Sequence, residues 1–69
     1  MNISARNQLK GKITAIQEGA VMTEVTVQTR GGEEVTAVIT CSSADRLQLS
    51  VGKEVCAVIK ATDIMIMTD

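Results

Sequence analysis

Apolar and polar positions alternate along most of this chain. From Leu9 to Gln17, Leu9, Gly11, Ile13 and Ala15 are interleaved with Lys10, Lys12 and Thr14. A period of two puts each set on one face of a strand. Glu18-Gly19-Ala20 ends the run as a turn. The next run sets Val21, Thr23, Val25, Val27 and Thr29 against Met22, Glu24, Thr26, Gln28 and Arg30. Its β-branched residues suit a pleated, half-buried surface. Gly31-Gly32 predicts a hairpin turn, and Glu34–Thr40 a third strand. Cys41 to about Leu47 predicts one or two helical turns, with Ser42 or Ser43 as N-cap and Asp45 completing a capping box with Ser42. Gly52 marks another turn, Glu54–Ile59 a fourth strand and Asp63–Met67 a fifth, with Lys60-Ala61-Thr62 between them.

The fifth segment is apolar on both faces, Ile64 and Ile66 on one and Met65 and Met67 on the other. Such a strand has to be covered twice, so one face is expected to meet its own barrel and the other a partner subunit. Five strands with a short helix between the third and fourth predict an all-β fold, an OB-like Greek-key barrel in a single domain over residues 1–69. Closure removes the edges that a valine-rich sheet tolerates poorly.

Composition strengthens the case for self-association. Hydrophobic residues make up 45% of 69, with no aromatic among them. A chain of this size buries only about 60% of the surface its unfolded form exposes. Small aliphatic side chains add less burial each than Phe or Trp. Disulfides, metals or oligomers are the usual remedy. With no histidine and no CxxC pair, Cys41 and Cys56 do not read as a zinc cage. Oligomerisation is the expected route.

Net charge is −1, and no stretch approaches 18 apolar residues. The charge argues against general nucleic-acid binding, and the missing apolar stretch against a membrane span. No signal-type apolar region stands at the start. The expectation is a soluble, cytoplasmic protein with reduced cysteines.

An enzyme is not expected. His and Tyr are absent, which removes the commonest acid–base group. Cys56, within an apolar strand, is expected in the core. Cys41, at a strand-to-helix junction, lacks a visible activating neighbour. Single-strand binding by an OB barrel uses aromatic stacking platforms, and this chain has no aromatic residue.

A small oxyanion needs less. It offers only acceptors, so a site for it gathers an Arg fork, a Lys charge, hydroxyls and backbone N–H groups, with no acid nearby. No acidic residue precedes Glu18, and Ser4-Ala5-Arg6-Asn7-Gln8 supplies such donors. Lys60-Ala61-Thr62 supplies a second cluster, and Thr40-Cys41-Ser42-Ser43 adds hydroxyls. Each also has a plainer role: Arg6 as solvated surface, Lys60 as a strand end, Ser42 and Ser43 as helix caps.

"ISARNQLKGKI" and "VIKATDIMI", with "AVITCSSADRLQL" and "VGKEV" between them, closely resemble the molbindin family, the molybdenum-pterin-binding (Mop) proteins. The same module occurs in molybdate-responsive regulators and in molybdate transporter ATPases. The resemblance covers essentially the whole chain. It implies an OB-like barrel and a homo-hexamer built as a trimer of dimers. It also implies molybdate or tungstate bound between subunits, for intracellular storage without catalysis. Carried over, the oxyanion ligands would be the Ser4 hydroxyl, the Ala5 backbone, the Arg6 charge, Lys60, and donors from Ala61 and Thr62. Thr40 and Ser43 would help close the site. The family's second class of anion site, near its threefold axis, has no assigned residues here. No GxxxxGK[ST] motif is present and the chain has no room for a helix-turn-helix, so neither DNA reading nor ATP hydrolysis is expected. The alternative is a structural or single-strand-binding OB module. A pterin is a third possible ligand, but this chain has no aromatic ring for it to stack on.

Overall fold

The computed structural model describes residues 2–69. Strands β1 (Asn7–Glu18), β2 (Met22–Thr29), β3 (Glu34–Thr40) and β4 (Glu54–Ile59) form one antiparallel sheet in the order β3-β2-β1-β4. The sheet curls into a half-barrel. A short helix, α1 (Cys41–Arg46), follows β3 directly.

β1 joins the two halves. Its residues from Gly11 to Glu18 pair with β2, and those from Asn7 to Lys12 pair with β4. Two devices let it bend. A Cβ built on Gly11 would stand 2.2 Å from the Gln28 carbonyl oxygen, so only glycine permits this approach of the backbones. Three residues later the register slips at a bulge between Ile13 and Ala15. A bulge adds a residue and exchanges the faces beyond it. Ile13 is therefore buried, but the next inward residue is Ile16, and Ala15 is exposed. The alternation expected through Ala15 stops at Thr14 for that reason.

The core is small. Ile13, Val25 and Val27 are buried, and Ile16, Ile39, Leu49 and Val55 pack against them. Thr23 is 1% exposed, and its hydroxyl donates to Cys41 Sγ at 3.1 Å. The Cys41 thiol donates to the Gly19 carbonyl at 3.3 Å. The expected hairpin turn forms at Gly31-Gly32, where Gly32 N–H donates to Thr29 O at 3.0 Å and Gly32 takes φ +92°.

Three expectations are corrected. The helix is capped earlier than either serine read as its cap, two residues before Ser42: Thr40, extended at φ −70° and ψ 150°, is the N-cap, and its Oγ1 accepts from Ser43 N at 3.0 Å. The Thr-x-x-Ser spacing offers the same kind of side-chain acceptor as Ser42 would, two residues earlier, at the last position of β3. Cys56 is exposed rather than core. Val55, Ala57 and Ile59 take the inward positions of β4, and the strand's period of two turns Cys56 outward, opposite Lys10.

The third correction is to the barrel. The sheet has four strands, not five, and it is not closed. Ala61–Asp63 form a 3₁₀ turn, and no ladder includes Ile64–Met67. Met65, Ile66 and Met67 are 91%, 86% and 93% exposed. Between β3 and β4, where a closing strand would lie, is a cleft of about 240 Å³ lined by Ala37, Ile39, Leu47, Leu49, Val55 and Ala57 among others. Apolar periodicity reports which side chains favour burial; it does not report which backbone supplies the neighbouring ladder.

Candidate functional site

The pairing of β1 with β4 places the two predicted donor clusters side by side. Asn7 stands opposite Ile59 and Gln8 opposite Val58. The residues leading into β1 (Ser4, Ala5 and Arg6) therefore lie beside those leaving β4 (Lys60, Ala61 and Thr62). Ser4 is at a bend, and Ser4, Arg6, Lys60, Ala61 and Thr62 are exposed, while Ala5 is half-buried. Clusters 54 positions apart in sequence, from Arg6 to Lys60, thus share one end of the sheet.

Local structure shapes each side. Lys60 is extended at φ −65° and ψ 135° and caps the 3₁₀ turn without a side-chain bond. Asp63 N–H donates to Lys60 O at 2.9 Å, and Ile64 N–H to Ala61 O at 3.5 Å. The amides of Ala61 and Thr62 come before any i−3 carbonyl inside the turn, so they are first-turn donors for an outside acceptor. On the other side, the Gln8 side-chain amide donates to Ala5 O at 3.1 Å. The Asn7 side-chain amide donates to Ile59 O at 3.3 Å across the rung. Asp63 puts a carboxylate at the end of the same turn, an unfavourable neighbour for an anion.

Thr40 and Ser43 are elsewhere in the same chain. Thr40 pairs with Met22 at the start of β2, and Glu18 pairs with Thr23 at the far end of β1. The 12 residues of β1 separate that end from Arg6 by roughly 40 Å of contour at about 3.3 Å per residue. Both residues already have structural work. Thr40 caps α1, and its hydroxyl donates to Ser43 Oγ at 2.8 Å. The Ser43 hydroxyl proton stays free for another acceptor.

The capping role of Thr40 and the two amide–carbonyl bonds were missed from sequence. Thr-x-x-Ser spacing could have revealed the first. Nothing local marks the Asn7–Ile59 bond, which depends on long-range register. Lys53 was missed as well: its ammonium donates to Leu47 O at 2.7 Å and Gln48 O at 3.2 Å, closing the C-terminal end of α1. Among the described residues, no group of three or more His, Cys, Asp or Glu side chains could hold a metal ion. No helix among them is long and apolar enough to cross a membrane.

The TOBE domain family matches residues 3–66. The chain is 49% identical over 67 residues to molybdenum-pterin-binding protein 3 of Clostridium pasteurianum, covering 97% of this chain and 98% of that one. A solved molybdate-binding protein from Sporomusa ovata superimposes with a TM-score of 0.93 at 35% identity, covering 99% and 100% of the two chains. The cytoplasmic molybdate-binding protein ModG, solved with molybdate bound, matches at 54% identity and a TM-score of 0.85; 88% of this chain covers 43% of that one. With a family match over nearly its whole length and near-half identity to a full-length relative, this chain belongs to the TOBE-domain family, among the molybdenum-pterin-binding (Mop) proteins.

Proposed function

We propose that this protein binds molybdate, and tungstate by the same chemistry, between subunits of a homo-oligomer, as a non-catalytic cytoplasmic store of the anion. The observation that carries the reading is the Asn7–Ile59 rung, which sets Ser4, Ala5 and Arg6 beside Lys60, Ala61 and Thr62. Two cations, two hydroxyls and first-turn amides then lie, solvent-exposed, in the two adjoining segments. A tetrahedral dianion takes donors only, and charge-assisted bonds to it are the strong ones. The molybdate-binding relatives share the fold over the whole chain.

Assembly enters through two features. Thr40 and Ser43 stand at the other end of the sheet, so if they close the site they do so from a second subunit. The apolar segment Ile64–Met67 is exposed in the single chain, and the open cleft between β3 and β4 is apolar. Covering both with copies of the chain supplies the burial that so small a core lacks. A hexamer built as a trimer of dimers is the arrangement we favour. Anion and assembly then stabilise each other, because the ligand neutralises cations gathered at an interface.

The test is calorimetric titration with molybdate, tungstate, sulfate and phosphate, on the native chain and on Arg6→Ala. Tight binding of the first two, lost in the variant, is expected. Equal heats for sulfate, or undiminished molybdate binding by Arg6→Ala, would overturn the assignment.

A further inference from the structure

Two backbone carbonyls border the donor cluster, Ala5 O before β1 and Ile59 O at the end of β4. For a ligand that presents only acceptors, a nearby carbonyl is repulsive. Each of these carbonyls receives a side-chain amide N–H, from Gln8 Nε2 at 3.1 Å and from Asn7 Nδ2 at 3.3 Å. The fold does not call for the first bond. Gln8 is exposed, so burial does not require the bond; what the side chain adds over an exchanging water is a fixed direction for the Ala5 carbonyl.

We infer that Gln8 and Asn7 are positioning residues for anion selectivity: their amides hold the carbonyls that directly precede Arg6 and Lys60, so that neither is free to turn towards the proposed ligand. The inference rests on the oxyanion site proposed above. A held carbonyl has its dipole compensated and its direction set by the donor. Gln8 also fixes the backbone of Ala5, whose neighbours Ser4 and Arg6 are the proposed ligands. Released, Ala5 O becomes an acceptor at the rim. It then repels molybdate, which carries no proton at neutral or mildly alkaline pH. Hydrogen phosphate suffers less, because its remaining proton can be donated to that carbonyl. The two amides therefore favour the unprotonated anion over the protonated one.

The experiment uses the full chain at about pH 8, with molybdate titrated directly and phosphate measured by competition. Gln8→Met keeps the side chain's length and removes its donors. The variant is expected to bind molybdate about tenfold more weakly, the scale of one hydrogen bond affecting a charged ligand. Its affinity for phosphate should stay within about twofold, and its melting temperature without ligand should not change. Asn7→Leu, which removes the donor without adding charge, is expected to shift the same ratio in the same direction. Unchanged molybdate binding by Gln8→Met, or a parallel loss for both anions, overturns the inference, since a general disturbance of the site weakens both alike. Arg6→Ala separates the two levels. If it binds molybdate normally, the site itself is wrong; if it loses molybdate while Gln8→Met does not, only the positioning role falls.

Discussion

Asn7 and Ile59 face each other on the outermost rung between β1 and β4, and the Asn7 amide reaches across to the Ile59 carbonyl at 3.3 Å. That rung sets the segment before β1 against the segment after β4, so the stretches that carry Arg6 and Lys60 adjoin although they come from opposite ends of the chain.

Removing either cation should therefore have the same kind of effect. At a hundredfold excess over Kd, a ligand stabilises a folded protein by about 2.7 kcal/mol per site. Molybdate should raise the melting temperature of the native protein, and Arg6→Ala or Lys60→Ala should abolish most of the rise. Each substitution should weaken binding roughly 10- to 100-fold, as expected for a charge-assisted bond worth about 1.5–3 kcal/mol. Differential scanning fluorimetry across a molybdate series would check both.

Asp63 is expected to work against the proposed ligand. It closes the 3₁₀ turn that Lys60 opens, and its carboxylate repels a nearby dianion through partly screened solvent. Asp63→Asn should tighten molybdate binding by about two- to fivefold at low ionic strength, the gain shrinking as salt is added. Titration at two salt concentrations would show it; equal affinities at both would place Asp63 outside the ligand's field.

The exposed segment Ile64–Met67 should govern assembly. Met65→Glu combined with Met67→Glu places charge where apolar cover is expected, and a buried unpaired charge is costly. Sedimentation should show a smaller species than the oligomer proposed for the native chain. Weaker molybdate binding should accompany it if the site is shared between subunits. An unaltered oligomer would remove this segment from the interface.

The cap of α1 can be tested separately. Thr40→Ala removes the acceptor for Ser43 N–H and should cost about 1 kcal/mol of stability, while Thr40→Ser should keep most of it. Chemical denaturation in the absence of molybdate would isolate this effect from any part the hydroxyl plays in anion binding.

Gly11→Ala should be the most damaging of these changes. Its Cβ would stand 2.2 Å from Gln28 O, a contact that backbone alone cannot relieve without parting β1 from β2. A loss of several kcal/mol, or failure to fold, is expected.

Alternation along the chain was enough to find β2, β3 and β4, because a half-buried strand writes its two faces directly into the residue order. The donor clusters were also legible, as cations and hydroxyls without acid around Arg6. The molbindin resemblance then linked those clusters to a ligand class. Pattern could not foresee the bulge at Thr14, which moves burial from Ala15 to Ile16, because backbone registry rather than side-chain type causes it. It also failed at Ile64–Met67. Two apolar faces marked a segment that favours cover, but they did not say that this chain's own ladder leaves it uncovered.

What the sequence determined by itself was local: strand faces, the Gly31-Gly32 turn, and the chemical character of each cluster. These follow from side chains acting on their immediate neighbours in the chain. Tertiary structure alone decided that the stretches carrying Arg6 and Lys60 adjoin, that Thr40 and Ser43 stand at the other end, and that Gln8 and Asn7 donate to the Ala5 and Ile59 carbonyls. Those relationships depend on the register between strands distant in sequence. Register is set by the combined packing of a whole face, and no single stretch of the chain contains that information.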